Sequence, residues 1–395
     1  MSEWPRGSLN DVLIEVNDRN NAETVELVLS VTERRGIVPQ TEVFRKRIAT
    51  NDTAKYKVVQ PLDIAWNPYL LWTGAVGQWL GSEPGVTSPV YPIFRARDNQ
   101  VARFWGLVLE SGILTPYFDS TAIGSIQRRR RTTVPVFKAS SVRIPSHYEQ
   151  RRIVEVMSIV DAHIEALDAE SLSVNRAYSA LLNELSQSHT LRPIRDVVLS
   201  AQAGGTPSRN RPDFYGGDIP WLKSGEVDDD EIETASEFIT ESGLKGSAAK
   251  VVPPGSTVVA MYGQGDTKGR AGFIRNPVAT NQAVLALVPD KTQVHPRLLL
   301  HAVRSQTVAL RARAIGAAQP NLSKGLVTSH LIPIPDDLEF QQVFADAADS
   351  LTREGGKLIG ELYNLRTFRS SLLRALLNQE IEIPGSYDAF LEGAS

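Results

Sequence analysis

The chain has no cysteine among its 395 residues. That absence excludes disulfides, thiolate nucleophiles and cysteine-based zinc sites, and makes a reducing compartment the expected setting. Nowhere do 18 or so apolar residues follow one another as a membrane span requires, and the start MSEWPRGSLN has no basic stretch leading into an apolar one. A cytoplasmic protein with no membrane partner is therefore expected. Histidine is scarce, and residues 147, 163, 189, 295, 301 and 330 show no H-E-x-x-H or similar ligand spacing, so no metal is expected. The acidic run Asp228-Asp229-Asp230-Glu231 lacks partner ligands and reads as a solvated loop. A charge excess of one sign is missing too: the net charge is −3 and the pI near 6.1, without the overall basic balance of many nucleic-acid binders.

The average hides a segregation. Residues 1–144 carry 18 Lys/Arg against 14 Asp/Glu and residues 191–335 carry 16 against 13. The stretches between and after are acidic, with 3 against 7 over 145–190 and 5 against 11 over 336–395. A hydrophobic content of 42% suits ordinary globular domains with real cores, and the length allows two or three of them.

The same boundaries emerge from an internal repeat of roughly 190 residues, each unit a mixed block followed by a long helix. The first block ends Ser141-Val142-Arg143-Ile144-Pro145 and the second Ser329-His330-Leu331-Ile332-Pro333, and each is followed by an acidic, glutamine-bearing helix start (Glu149-Gln150; Glu339-Phe340-Gln341-Gln342). In the first helix Ile153, Met157, Val160, Ile164, Leu167, Ser171, Val174, Tyr178, Leu181 and Leu185 keep a 4-3 spacing, the signature of a heptad seam. In the second, Phe344, Ala348, Leu351, Gly355, Leu358, Leu362, Leu365, Arg369, Leu372 and Leu376 keep it again, with breaks at Gly355 and Arg369. Pairing of the two is expected through Ile153, Val160, Leu167 and Leu181 against Leu351, Leu358, Leu365 and Leu372. About 35 residues at ~1.5 Å each would make a rod on the order of 50 Å, longer than one turn of B-DNA.

The predicted organisation is thus a first block over 1–144, a central helix over 145–190, a second block over 191–335, a distal helix over 336–380 and a frayed tail over 381–395. Within the blocks, short β-type runs such as Val25–Val31, Ser256–Met261 and Ala283–Val288 alternate with helical stretches, notably Arg297 to Ala314.

Two strings suggest chemistry. Trp66-Asn67-Pro68-Tyr69 approaches the N-P-P-[FY] loop of amino-methyltransferases, but lacks the second proline, and no glycine-rich cofactor turn precedes it. Gly263-Gln264-Gly265-Asp266-Thr267-Lys268-Gly269-Arg270 fits neither phosphate-loop pattern. Low bulk, a mobile backbone and donors on long stems do suit a loop that touches bases or phosphates; the alternative is a solvated hairpin tip. The densest basic run is Arg128-Arg129-Arg130-Arg131, with smaller clusters at Arg34-Arg35 and Arg45-Lys46-Arg47. Phosphate contact by part of each is the preferred reading, surface charge the alternative.

Taken together, the chain resembles the specificity (S) subunits of type I restriction-modification systems. In the first block the likeness rests on Arg35-Gly36-Ile37-Val38-Pro39-Gln40, the run Tyr56 to Pro68, Gly74-Ala75-Val76-Gly77 and Ser88-Pro89-Val90-Tyr91. In the second it rests on Gly204-Gly205-Thr206-Pro207-Ser208, the run Gly216 to Glu226, Thr280-Asn281-Gln282-Ala283 and Gln319-Pro320-Asn321-Leu322-Ser323. The resemblance implies a mixed α+β fold, with two α/β target-recognition domains separated by two long antiparallel coiled-coil-like helices in a pseudo-twofold repeat. It further implies sequence-specific recognition of a bipartite double-stranded DNA target by a non-catalytic subunit. Its partners would be two modification methyltransferase subunits, which carry S-adenosylmethionine, and restriction subunits; the chain itself would hold no cofactor. Expected DNA contacts are Arg34, Arg35, Arg45, Lys46, Arg128 and Arg129 in the first block and Lys223, Gln264, Lys268, Arg270 and Lys324 in the second. The competing readings are a coiled-coil scaffold for proteins and a stand-alone DNA methyltransferase.

Overall fold

The computed structural model describes residues 3–33, 35–44, 52–124, 130–227, 231–314 and 321–387. The chain divides into two units, residues 1–166 with 361–395 and residues 167–360. Both divisions fall inside the long helices His147–Ser188 and Leu338–Leu377, so each unit holds one mixed block and a portion of each helix.

In the first unit an antiparallel sheet runs in the order Leu13–Val16, Ile93–Ala96, Ile64–Trp66, Val76–Gln78. Its strands are short because turn residues punctuate the sequence every few positions, and its inward side chains build an aromatic core. Trp66 stacks on Phe137 at 5.0 Å and Phe94 meets the same ring at 4.6 Å, with Phe104, Trp105 and Phe118 fully buried beside them. Aromatic groups of this size bury the most apolar area per residue, which lets a small block with short strands hold together. The run Val25–Val31 becomes strand only from Leu29. Upstream, the Val25 amide donates to the Asn20 side chain and the Asn20 amide donates back to the Val25 carbonyl, so side-chain bonds displace the ladder there.

Among the described residues the second unit has a five-stranded and a four-stranded sheet, besides a two-stranded ladder. In the larger, Val198–Ala203, Val284–Pro289, Thr257–Ala260, Ala271–Ile274 and Glu231–Ile232 lie side by side. Its inner strands are buried on both faces, which is why they read as continuous apolar runs. Val259, Leu285 and Leu287 face the helix Pro296–Ser305 and its core, while Val258, Val284 and Ala286 face a second core with Leu222 and Val227. The expected helix Arg297 to Ala314 is two helices, Pro296–Ser305 and Thr307–Ala312, broken at Gln306.

The repeat is visible element by element. Arg6–Ser8 pairs with Ser141–Arg143, and Leu191–Pro193 pairs with Leu331–Pro333. Gln150 donates its amide to the Pro145 carbonyl at 2.8 Å, and Gln341 donates to that of Pro335 at 2.7 Å, both from fully buried positions at the start of a long helix. The glutamines of the two helix starts therefore tie each helix to the end of the block before it.

Both seams are the inward stripes of their helices. Ile153, Met157, Leu167, Ser171 and Leu185 are buried, as are Phe344, Ala348, Gly355, Leu358, Leu362 and Leu376, while Val160, Leu181, Leu351, Leu365 and Leu372 are half-buried. Within the second unit Gly355 faces Val174, and Leu185 shares a core with Phe344 and Ala348, so the helices run antiparallel there. Within the first unit Asp161 pairs with Arg369 in a two-pronged ion pair (2.8 Å for Nη2 to Oδ2), and Ile153 shares a core with Leu376, the same sense again. The polar break at Arg369 is thus an ion pair inside the seam. Antiparallel pairing of the two helices is the arrangement expected from the sequence.

A buried polar relay binds the second block to both helices. His301, fully buried, lies between Tyr178 of the first helix (2.9 Å) and Asp349 of the second (2.8 Å). Arg297 grips the same carboxylate, its Nε at 2.6 Å, and reaches Glu231 at 3.2 Å. Burial lowers the His301 pKa, against the pull of Asp349, and its two ring nitrogens bridge the Tyr178 hydroxyl and the Asp349 carboxylate. Among the described residues no helix is long and apolar enough to cross a membrane.

Candidate nucleic-acid interface

Local backbone bonds decide where the expected reading residues of the second block fall. The Asn281 amide donates to the Leu222 carbonyl at 3.0 Å, the Met261 amide to that of Ala283 at 2.8 Å, and the Leu322 amide to that of Met261 at 3.0 Å. Around Asn281–Ala283, three segments are stitched into one patch: the loop that carries Lys223, the glycine loop with Gln264, Lys268 and Arg270, and the start of the helix Lys324–Thr328 with the residues that lead into it. Gln264 and Lys324 are exposed, and Lys223, Lys268 and Arg270 half-buried. These five residues lie on two neighbouring loops and the first turn of a short helix, although up to about a hundred positions separate them in the chain.

The glycines here serve geometry. A Cβ on Gly204 would stand 1.8 Å from the Thr280 carbonyl oxygen, and one on Gly205 would stand 2.5 Å from the Ala248 backbone, so only glycine lets these strands approach. The Gly205 amide uses that approach to donate to Thr280, and the Trp221 indole donates to the Gly205 carbonyl, both at 3.0 Å. Beside Trp221, Glu237 accepts from Lys223 at 3.3 Å and from Arg209 at 3.1 Å. The Arg209 guanidinium lies over the rings of Tyr215 (4.4 Å) and Trp221 (5.3 Å). Hydrogen bonding to Arg209 holds Glu237 below the usual carboxylate range despite its partial burial. Lys223 thus belongs to a charged surface triad with Arg209, which the sequence reading did not single out; the nearby Pro207-Ser208 turn was its only signal.

In the first block Arg35 is described and pairs with Glu42 on the surface. Arg34, Arg45, Lys46, Arg128 and Arg129 lie outside the described residues, as do Asp228, Asp229 and Asp230. Arg131, at the end of the four-arginine run, pairs its backbone with Ile123 through two bonds of 2.9 Å. Arg130 stacks on Trp72 at 4.4 Å and pairs with Asp119 at 2.8 Å. Sequence order gave no hint of a further basic cleft, lined by Arg19, Lys57, Arg97 and Lys138 with Asn10 and Asn17. Glu15 offsets part of this charge through Lys138 at 2.9 Å. Burial lowers the Lys57 pKa, and Glu15 and Arg19 pull it in opposite directions. These cations come from four separate segments and converge only through the sheet.

The methyltransferase-like string has other employment. Asn67, nearly buried, donates its side-chain amide to the Tyr91 hydroxyl at 3.0 Å and accepts the Tyr69 amide on its Oδ1 at 3.0 Å, so the group that would grip a base closes a turn instead. Among the described residues no cluster of three or more His, Asp or Glu side chains is placed to hold a metal ion.

Comparison with known proteins bears on the second block and on the fold. Residues 190–364 match the family described as type I restriction modification DNA specificity domain. Among curated proteins the chain is 23% identical over 234 residues to the type I restriction enzyme EcoR124I/EcoR124II specificity subunit of Escherichia coli, covering 52% of this chain and 58% of that one. It is 28% identical over 181 residues to the HindI specificity subunit of Haemophilus influenzae, covering 45% and 39%. The chain therefore spans little more than half of the first relative and about two fifths of the second. Among solved structures, the type I restriction-modification S subunit from M. genitalium superposes with a TM-score of 0.63 at 13% identity, covering 94% of this chain and 96% of that one. A structure from work on complex assembly and conformational transition of the type I system gives 0.55 at 13%, covering 95% and 98%. The two structural likenesses are likenesses of fold, and residues 190–364, less than half of the chain, carry its similarity to the type I restriction modification DNA specificity domain.

Proposed function

We propose that the chain reads a bipartite double-stranded DNA target, one half with each mixed block, and leaves methyl transfer and cleavage to partner subunits. The observation that carries this is the convergence of Lys223, Gln264, Lys268, Arg270 and Lys324 on three stitched segments of a block that matches the DNA specificity domain. Long basic and amide side chains on a low-bulk surface can set register on phosphates and reach base edges. The acidic balance of the two helices keeps their outer faces from DNA and suits them to proteins. Ile159 and Leu172 on the first helix and Ile359, Tyr363 and Phe368 on the second leave half or more of their surface exposed, which supports docking of two modification subunits and, through them, of restriction subunits. S-adenosylmethionine then belongs to the modification subunits, and the paired helices set the distance between the half-sites.

The test uses the complex of this chain with its modification subunits. Selection from random duplexes should return two short specified runs around an unspecified spacer, with affinity falling steeply as salt rises. Exchange of residues 1–144 for the first block of a type I specificity subunit should rewrite one run and leave the other intact. Changes in both runs, or binding without selectivity, would refute the assignment.

A further inference from the structure

A chain segment with three glycines at φ 155°, 55° and 80° (Gly263, Gly265 and Gly269) can adopt many shapes, and a reading loop must hold one. Arg311 makes the selection. Its Nε donates to the Lys268 carbonyl at 2.6 Å, its Nη1 to the Asp266 carboxylate at 3.1 Å and its Nη2 to the Asp266 carbonyl. Asp266 is largely exposed, so the ion pair alone would fix little; the two backbone carbonyls give the fork its geometric hold. The fit is close on the other side too, since a Cβ on Gly269 would stand 3.0 Å from Arg311 Cγ. Arg311 is itself anchored. Its neighbour Leu310 is fully buried in the core of the block, and Gln306, at the break before this short helix, donates to the Ser186 hydroxyl of the first long helix at 3.1 Å.

We propose that Arg311 is a positioning residue for recognition of one half-site: it makes no DNA contact, but selects the loop conformer that presents Gln264 and Lys268. The proposal rests on the glycine loop being a reader, as argued above. It also makes the loop's attitude depend on the first long helix, through Gln306 and Ser186.

The assembled complex with full-length chain is compared as wild type, Arg311→Gln and Arg311→Lys, on the selected duplex and on duplexes altered in either half-site, across a salt series. Discrimination at the half-site read by the second block should fall about tenfold in both variants, because lysine keeps the charge without the fork. Discrimination at the other half-site should be unchanged and acts as the folding control. The slope of log affinity against log salt should not move, and amide exchange over residues 262–270 should quicken. Gly269→Ala, which displaces the arginine stem, should reproduce the pattern. A slope reduced by about 0.9 would make Arg311 a phosphate contact and overturn the proposal; so would full rescue by lysine, or faster loop exchange with discrimination intact. Alanine at Gln264 and Lys268 separates the two levels. Loss of discrimination there but not in Arg311→Gln sinks the brace alone, whereas no loss in either sinks the reading loop with it.

Discussion

Asp349 shows what a single buried residue does in this fold. Burial pushes its pKa up, but the hydrogen bonds from His301 and Arg297 and the charge of Arg297 outweigh it and hold the carboxyl at about 2. A carboxyl depressed in the folded chain adds stability that is complete above its unfolded value near 3.9 and is lost as pH falls from there through about 2. For a depression of this size the contribution is about 2 kcal/mol. Asp349→Asn should cost more, about 3 kcal/mol in urea unfolding at neutral pH, because it strands Arg297 beside a buried histidine; the variant's remaining stability should also lose part of its pH dependence between 4 and 2. An unchanged denaturation midpoint would mean that the relay holds nothing. The sequence could not announce this residue: Tyr178, His301, Arg297 and Asp349 carry no motif, and their meeting depends on three elements far apart in the chain. Arg311 was hidden for the same reason. The glycine loop was legible because its composition is local; the group that shapes it comes from a different element.

The two long helices were the most legible elements. A 4-3 stripe is a property of consecutive residues, so it survives without knowledge of the partner, and the seam positions read from spacing are buried or half-buried. Spacing alone did not reveal that the stripe widens where the helices meet the blocks, with Ala345, Leu373 and Leu377 also buried. Short strands were less legible, since side chains such as Asn20 can take over backbone bonds. Gly355, an apparent break, lies within a continuous helix and faces Val174. A Cβ there would sit 3.8 Å from Val174 Cγ1, an ordinary contact. Gly355→Ala should therefore stabilise the chain by roughly 0.5–1 kcal/mol through helix propensity, read as a higher unfolding midpoint; a lowered midpoint would show that the helices need closer approach at this point than a methyl group allows.

For the whole molecule, the repeat of block and helix matters more than any single site. Blocks of net positive charge alternate with acidic helices, and the matched ladders and glutamine ties give each helix the same join to its block. Such a chain can change what it reads by changing a block and how far apart it reads by changing its helices. The most direct measurement is the spacer in selected DNA after insertion of one heptad into each long helix at positions that preserve the seam. Seven residues add about 10 Å, so the preferred spacer should lengthen by about 3 bp with both half-sites unaltered. A spacer that stays the same length would contradict the account.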